Sequence, residues 1–449
     1  MKQDLTVGRP LSVITRFVIP LLLGNLFQQL YNMVDSAIVG KYLGASALAA
    51  VGSTGSISFL IVGFMMGISG GFSIIVARYY GAKDMEGVRR AIGTILWLGV
   101  GMSLAITIGA TALTGQILTL MMTPADIFSS SYAYIFVIFL GIPATMLYNT
   151  LAGILRALGD SRTPLYFLIL ASFLNVGLDL LFILTLHMGV AGAAWATILS
   201  QLISGLACLI YIWKKRPDIH LSRADLRFRP SLARSLLFVG LPMALQFSIT
   251  AIGTIIVQAV TNTLGSASVA AVTAASKSQA FLVTPMESLG VAMATYCGQN
   301  LGAGRIDRVK KGYWSSIALG MSICAIATPI SIFLGDTISL LFLDASETAI
   351  LGEVAVFLLW NALFYPSLQM VYISRNCVQG LGYSVPAMAA GAFELVGRSV
   401  ASLLLVKAVG FVGVAVAGPI AWMLAIAFLM PAYHVAVNRL EKHISPTRA

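Results

Sequence analysis

The sequence predicts an all-α membrane protein, with twelve transmembrane helices in two six-helix lobes related by a parallel internal repeat. Three observations point there. Of 449 residues, 58% are apolar and only 10% charged, against about 25% charged in an ordinary soluble domain. The apolar residues fall into long continuous runs. The two halves of the chain also resemble each other in order. A soluble protein of this size has no place to hide so much apolar surface, because its surface grows almost as fast as its mass. A soluble enzyme, a secreted disulfide scaffold and a disordered chain are thereby excluded.

Each run is long enough to cross a bilayer, which takes about 20 mainly apolar residues. Helix 1 is read at 11–39. It is too long for a signal-peptide core and has no cleavage site before a soluble domain. The next five are read at 50–80, 91–115, 130–156, 163–186 and 190–213. The second six are read at 233–260, 268–299, 312–335, 352–379, 386–408 and 411–438. A membrane β-barrel would instead show short alternating strands. This places a first lobe at 1–213, a linker loop at 214–232 and a second lobe at 233–449.

The connecting loops alternate in charge. The basic set holds the N-terminus (Lys2, Arg9), loop 2–3 (Lys83, Arg89, Arg90), loop 4–5 (Arg156, Arg162), loop 8–9 (Arg305, Arg308, Lys310, Lys311) and the C-terminus (Arg439, Lys442, Arg448). Loop 6–7 is the longest, with seven basic residues from Lys214 to Arg234. The other set carries only Lys41 and Lys407, and its 9–10 loop is acidic (Asp336, Asp344, Glu347). Lys and Arg collect in cytoplasmic loops, so both termini are expected in the cytoplasm of a multi-pass cell-membrane protein. The net charge of +11 then reflects topology and no nucleic-acid partner. The four cysteines have neither disulfide nor zinc spacing and read as buried small hydrophobes.

The repeat has an offset of about 221 residues. FVIPLLL (17–23) parallels FVGLPMAL (238–245), and YLGASALAAV (42–51) parallels TLGSASVAAV (263–272). YYGAKD (79–84) parallels NLGAGR (300–305), and LRALGDSRTP (155–164) parallels VQGLGYSVP (378–386). GVAGAAWAT (189–197) parallels FVGVAVAG (411–418). Six helices per repeat is an even number, so both repeats enter from the same side. That is the parallel-repeat pattern of transporters, which bind substrate between halves.

An ionisable group at membrane depth is costly and marks a partner or a purpose. Six stand out: Asp35, Asp179, Lys277, Glu287, Glu394 and Arg398. Tyr31 lies four residues before Asp35 and shares its helix face. Pro20 precedes both and is expected to kink helix 1. Asn175 and Asp179 are also four apart on helix 5, and helix 6 adds Thr197. Apart from Arg16 near the start of helix 1, helices 1, 5 and 6 contain no base, and none lies near these acids. Two carboxylates without a cation invite a proton, and the same oxygen set also suits sodium. A purely structural hydrogen-bonded cluster is the third possibility. In the second lobe, Glu394 and Arg398 are spaced to neutralise each other. Lys277 and Glu287, about 15 Å apart on helix 8, should each meet another helix. Pro285 could bend that helix. This second-lobe set is either a structural polar network or a substrate contact. No GxxxxGK[ST] motif offers an ATP site, no Ser-His-Asp or His-cluster signature points to an enzyme, and no cofactor is implied.

On QLYNMVDSAIVG (29–40), ALAAVG, LRALGDSRTP, NVGLD and GQNLGAG (298–304), the chain resembles the multidrug and toxic compound extrusion (MATE) family of secondary transporters over nearly its whole length. The resemblance implies export of organic cations and other amphipathic compounds in exchange for sodium or protons. It assigns Asp35, Asn175, Asp179 and Thr197 to a first-lobe cation or proton site, Tyr31 to its surroundings and Pro20 to the helix 1 bend. One branch, named for norfloxacin resistance, also uses acids on helices 7 and 10. Here helix 7 has none and helix 10 has only Glu353, so the chain looks closer to the branch named for a DNA-damage-inducible gene. The expected protein is a monomeric drug/cation antiporter in the lipid bilayer. Its rivals are a lipid-linked-intermediate flippase of the same superfamily and a non-transporting membrane receptor.

Overall fold

In the computed structural model, which describes residues 3–340, 343 and 347–444, every element is helical. Lys2, Asp344 and Arg448, and the side chain of Asp336, lie outside the described residues. The helices are α1 (Pro10–Leu43), α2 (Ala45–Ser53), α3 (Gly55–Gly81), α4 (Met85–Ala112), α5 (Thr114–Leu120), α6 (Ala125–Leu140), α7 (Ile142–Ala157), α8 (Arg162–Leu180) and α9 (Gly189–Lys215). The second half adds α10 (Pro230–Asn262), α11 (Ser266–Gly302), α12 (Ile306–Ser339), α13 (Thr348–Leu363), α14 (Tyr365–Gly380), α15 (Ser384–Val409) and α16 (Phe411–Ile444).

Among the described residues, nine helical segments are long and apolar enough to span a membrane alone. Two more spans are broken: α6 with α7, bent by 45°, and α13 with α14, bent by 53°. Both breaks precede a proline, Pro143 and Pro366, at the second residue of the next segment. A proline fits the first turn of a helix, where its missing N–H costs nothing, whereas inside a helix it removes a backbone bond and favours a kink or a break. The twelfth sequence run is α11. It is 37 residues long and fails on hydropathy because it carries Lys277 and Glu287 among many Ser, Thr and Ala residues. It runs on through Pro285, as α1 does through Pro20 and α10 through Pro242.

The repeat is written in the backbone as well as in the side chains. Positive φ occurs at Gly44 (87°) and Gly265 (101°), at Lys83 (59°) and Gly304 (68°), at Gly159 (81°) and Gly382 (88°), and at Gly189 (59°) and Gly410 (58°). Each pair is separated by about the repeat offset. Left-handed conformation is strained for residues with a Cβ, which explains why seven of these eight are glycine.

The chain forms two compact units. Unit 1 comprises 1–4 and 23–244, and unit 2 comprises 5–22 and 245–449. Both crossings between units fall inside a helix, two residues after Pro20 and two after Pro242. In unit 1, α3 and the start of α10 meet backbone to backbone. A Cβ on Gly67 would come within 2.6 Å of Ala244 Cα, and one on Gly71 would overlap Gly240. Small residues that allow such approach are what joins helices in lipid, where apolar burial gives little drive.

The linker is docked on unit 1. Arg216 makes two 3.0 Å bonds to the Asp218 carboxylate. Asp225 accepts from Ser222 N (2.9 Å) and Ser222 Oγ (2.6 Å), with Arg89 Nε at 3.6 Å. Trp97 Nε1 donates to Leu226 O at 2.7 Å. Serine donation to its carboxylate, with Arg89 and Arg90 nearby, holds Asp225 below the ordinary carboxylate pKa.

In unit 2, the start of α1 enters a core built on Tyr296, Tyr313 and Tyr433, with Leu5, Ile14 and Phe17 buried in it. Tyr313 and Tyr433 stack with ring centres 3.9 Å apart. The segment before α1 is strapped by its carbonyls. Asn300 Nδ2 (3.2 Å) and Arg308 Nη2 (3.2 Å) donate to Leu5 O, Arg305 Nη1 to Thr6 O (3.0 Å) and Arg308 Nη1 to Gly8 O (2.7 Å). The GQNLGAG run and the arginines after it thus have a structural task. All four cysteines are free and buried.

Candidate cation-coupling site

Unit 1 brings the first-lobe residues together. Asp35 and Tyr31 project from α1, Asn175 and Asp179 from α8, and Thr197 from α9. Asn175 and Asp179 are essentially inaccessible, at 1% and 0%. Asn175 Nδ2 donates to Thr197 Oγ1 at 3.3 Å, and Thr197 Oγ1 donates back along its own helix to Ala193 O at 3.1 Å. The Asp35 and Asp179 carboxyls lie within direct reach of each other, and Tyr31 is close to both.

Four acceptor atoms here take no hydrogen bond from any described residue: Asp35 Oδ1, Asn175 Oδ1 and both Asp179 carboxyl oxygens. Buried polar atoms are nearly always paired, and an unpaired one carries its full desolvation cost. A set made only of acceptors calls for a positive species. Two carboxyl groups can bond each other only when one carries a proton. The same oxygens are also hard ligands for a monovalent metal cation. Just past Asp179, α8 widens into a π turn at Leu181–Thr185, a feature common where helices serve function.

Residues not picked out from the sequence complete the wall. Gln28 and Gln201 are hydrogen-bonding neighbours of Tyr31, and Thr145 Oγ1 donates to Gln201 Oε1 at 2.6 Å. Tyr134, on α6, lies within reach of Asp35, Tyr31 and Asp179. Gln201 was findable, since it sits one turn after Thr197. Tyr134 had no such signal, because its helix carries no charge near it.

The second-lobe set is rearranged. Glu394 does not pair with Arg398 but with Arg375 of α14, at 2.7 Å, with both side chains over nine-tenths buried. A partner from a facing helix can approach end-on, whereas the i, i+4 neighbour on α15 must bend along its own helix. Nothing in the α14 sequence pairs Arg375 with an acid, because its partner sits on α15. Tyr372 sits among Glu287, Glu394, Arg375 and Arg398. Lys277 is absent from this group and lies exposed on α11. Glu353, the acid of α13, accepts from Ser268 Oγ at 3.0 Å.

This arrangement, all-helical and duplicated with an acidic interior site in one unit, is that of a membrane carrier. The MatE family model matches residues 20–181 and 242–404, one stretch per repeat, and the chain belongs to that family. It is therefore a multi-pass membrane transporter and not an enzyme. It is 29% identical to the "Probable multidrug resistance protein YoeA" of Bacillus subtilis, over 82% of this chain and 81% of that one. It is 31% identical to the "Probable multidrug resistance protein YpnP" of the same organism, over 84% of each. A solved outward-facing multidrug resistance MATE transporter of the MOP superfamily superposes with a TM-score of 0.91. The identity is 25%, covering 98% of this chain and 99% of that one. A MATE structure in the bent conformation superposes at 0.90, with 26% identity over 98% of both chains.

Proposed function

We propose that this protein is a secondary active efflux antiporter of the cell membrane. It would carry organic cations and other amphipathic small molecules out in exchange for protons or sodium ions, by alternating access. The observation that carries this reading is the set of four unpaired acceptor oxygens on Asp35, Asn175 and Asp179. Relatives named for multidrug resistance support the substrate class. The charge alternation of the loops supports cytoplasmic termini. No covalent chemistry is involved. Coupling requires only that the ion and the drug each bind the two facing states unequally. An ion on the Asp35–Asp179 pair favours one state and the drug favours the other. The working form is a monomer.

The test uses purified protein in sealed proteoliposomes with a fluorescent organic cation. A pH gradient and a sodium gradient are imposed separately. At least one should drive flux, and that flux should vanish in Asp35→Asn and Asp179→Asn proteins that remain folded. Undiminished flux in a well-folded Asp35→Asn protein would overturn the reading. A flippase would instead move labelled lipid, but the acidic interior of unit 1 is a poor host for an anionic headgroup. A receptor would bind the dye without flux.

A further inference from the structure

A second binding feature lies in the linker, far in sequence from the coupling residues. The stretch 216–234 contains two acids, and both are consumed within unit 1: Asp218 by Arg216, and Asp225 by Ser222 and Arg89. Arg223, Arg227, Arg229 and Arg234 follow, and among the described residues no carboxylate lies within 4.0 Å of any of them. Arg229 Nε is moreover buried without a partner. Arg234 also lines a shallow, open groove of about 470 Å³ at the start of α10, and Arg229 sits in the chain between two of its lining residues, Phe228 and Pro230. Its lining includes Phe228, Ala233, Arg234, Leu237, Phe238 and Leu241, so it is almost wholly apolar, with Arg234 as its one charged lining residue. Phe228, Phe238 and Leu241 are 52%, 61% and 42% exposed. Trp97, whose indole bonds Leu226 O, is 57% exposed nearby in the linker contact. An amphipathic indole is the usual resident of the membrane–water boundary.

We infer that this groove holds one anionic phospholipid, its phosphate on Arg229 and Arg234 and an acyl chain along Phe238 and Leu241. Charge complementarity selects this occupant. Unmatched arginines need a phosphate or carboxylate, which they bind in bidentate fashion. The apolar floor needs a hydrocarbon chain. Basic residues beside a membrane helix recognise anionic headgroups in this way. The lipid would fix the docked linker to the first turns of α10. This site is separate from the efflux reading and stands or falls without it.

The experiment measures thermal unfolding of the full chain in neutral detergent, with native mass spectrometry counting bound lipid. Phosphatidylglycerol should raise the melting temperature of the wild-type protein by several degrees and add one retained lipid. Phosphatidylcholine of the same chains and soluble glycerol phosphate should do neither. The Arg229→Gln/Arg234→Gln protein should lose both effects while melting as wild type in detergent alone. If that double variant fails to fold, Leu241→Trp, which fills the groove and keeps both charges, serves in its place. Undiminished phosphatidylglycerol stabilisation in the variant, or an equal response to phosphatidylcholine or glycerol phosphate, overturns the site.

Discussion

Asp179 and Asn175 are held one turn apart on α8. Both are buried with acceptor oxygens that no described protein group satisfies. Asn175 owes its orientation to one 3.3 Å bond to Thr197. Thr197→Val removes that acceptor while keeping the shape. A lost bond of this kind costs about 1 kcal/mol, and the coupling-ion concentration for half-maximal transport should rise several-fold with protein yield unchanged. Ion-dependent transport assays check this. In unit 2 the Arg375–Glu394 pair makes a contrasting case. Removing one partner of a buried pair costs about 3–5 kcal/mol, whereas replacing both by apolar residues is often neutral. Glu394→Gln should therefore lower the melting temperature sharply, and Arg375→Met/Glu394→Leu should regain most of it. A double variant as unstable as the single one would show that Arg375 serves some other group. The clustered acids of unit 1 were legible in the sequence because a carboxylate is rare at membrane depth. Arg375 was not, since its partner is fixed by helix packing and not by spacing along one helix.

Single helices carry their own tests. At Gly71 any side chain would enter the backbone of α10, so Gly71→Leu should abolish folded protein. Gly109→Leu, at a glycine with open space around it, should be tolerated; size-exclusion profiles of the two proteins decide this. The linker gives a pH prediction. Asp225 has its pKa lowered in the folded protein by Ser222 and Arg89. Its contribution is fully present above the ordinary carboxylate pKa of about 3.9. It is lost as pH falls through the lowered folded value. Between pH 7 and 5, Asp225→Asn should thus show a constant stability deficit relative to wild type, a deficit that shrinks only in strong acid. Thermal melts across that range measure it. Sequence runs located these helices well where apolar residues were continuous. They could not show that runs 4 and 10 are each two segments, because a proline marks a break but the bend of 45° or 53° is set by neighbours. Nor did they show that the linker is docked, since Asp225, Ser222 and Arg89 meet only in three dimensions.

At the scale of the whole chain, the duplication was visible as five matched stretches, and the structure adds matched positive-φ turns and matched prolines. What no alignment of halves could reveal is that the repeat and the compact unit have different edges. Residues 5–22 complete unit 2, and residues 230–244, which begin the second repeat, complete unit 1. Each half of the sequence therefore lends its opening helical turns to the other half's fold. A chain cut within 219–223 would give two fragments, neither of which contains a full unit. Expressed alone, each should be degraded or aggregated, and co-expressed they should assemble and be recovered together on one affinity tag. The same trade has an evolutionary reading. A lone ancestral repeat could have finished its fold only by exchanging its first helical turns with a second copy. Fusion of two genes would then have preserved an entwined dimer, and made an intermolecular loan permanent within one polypeptide.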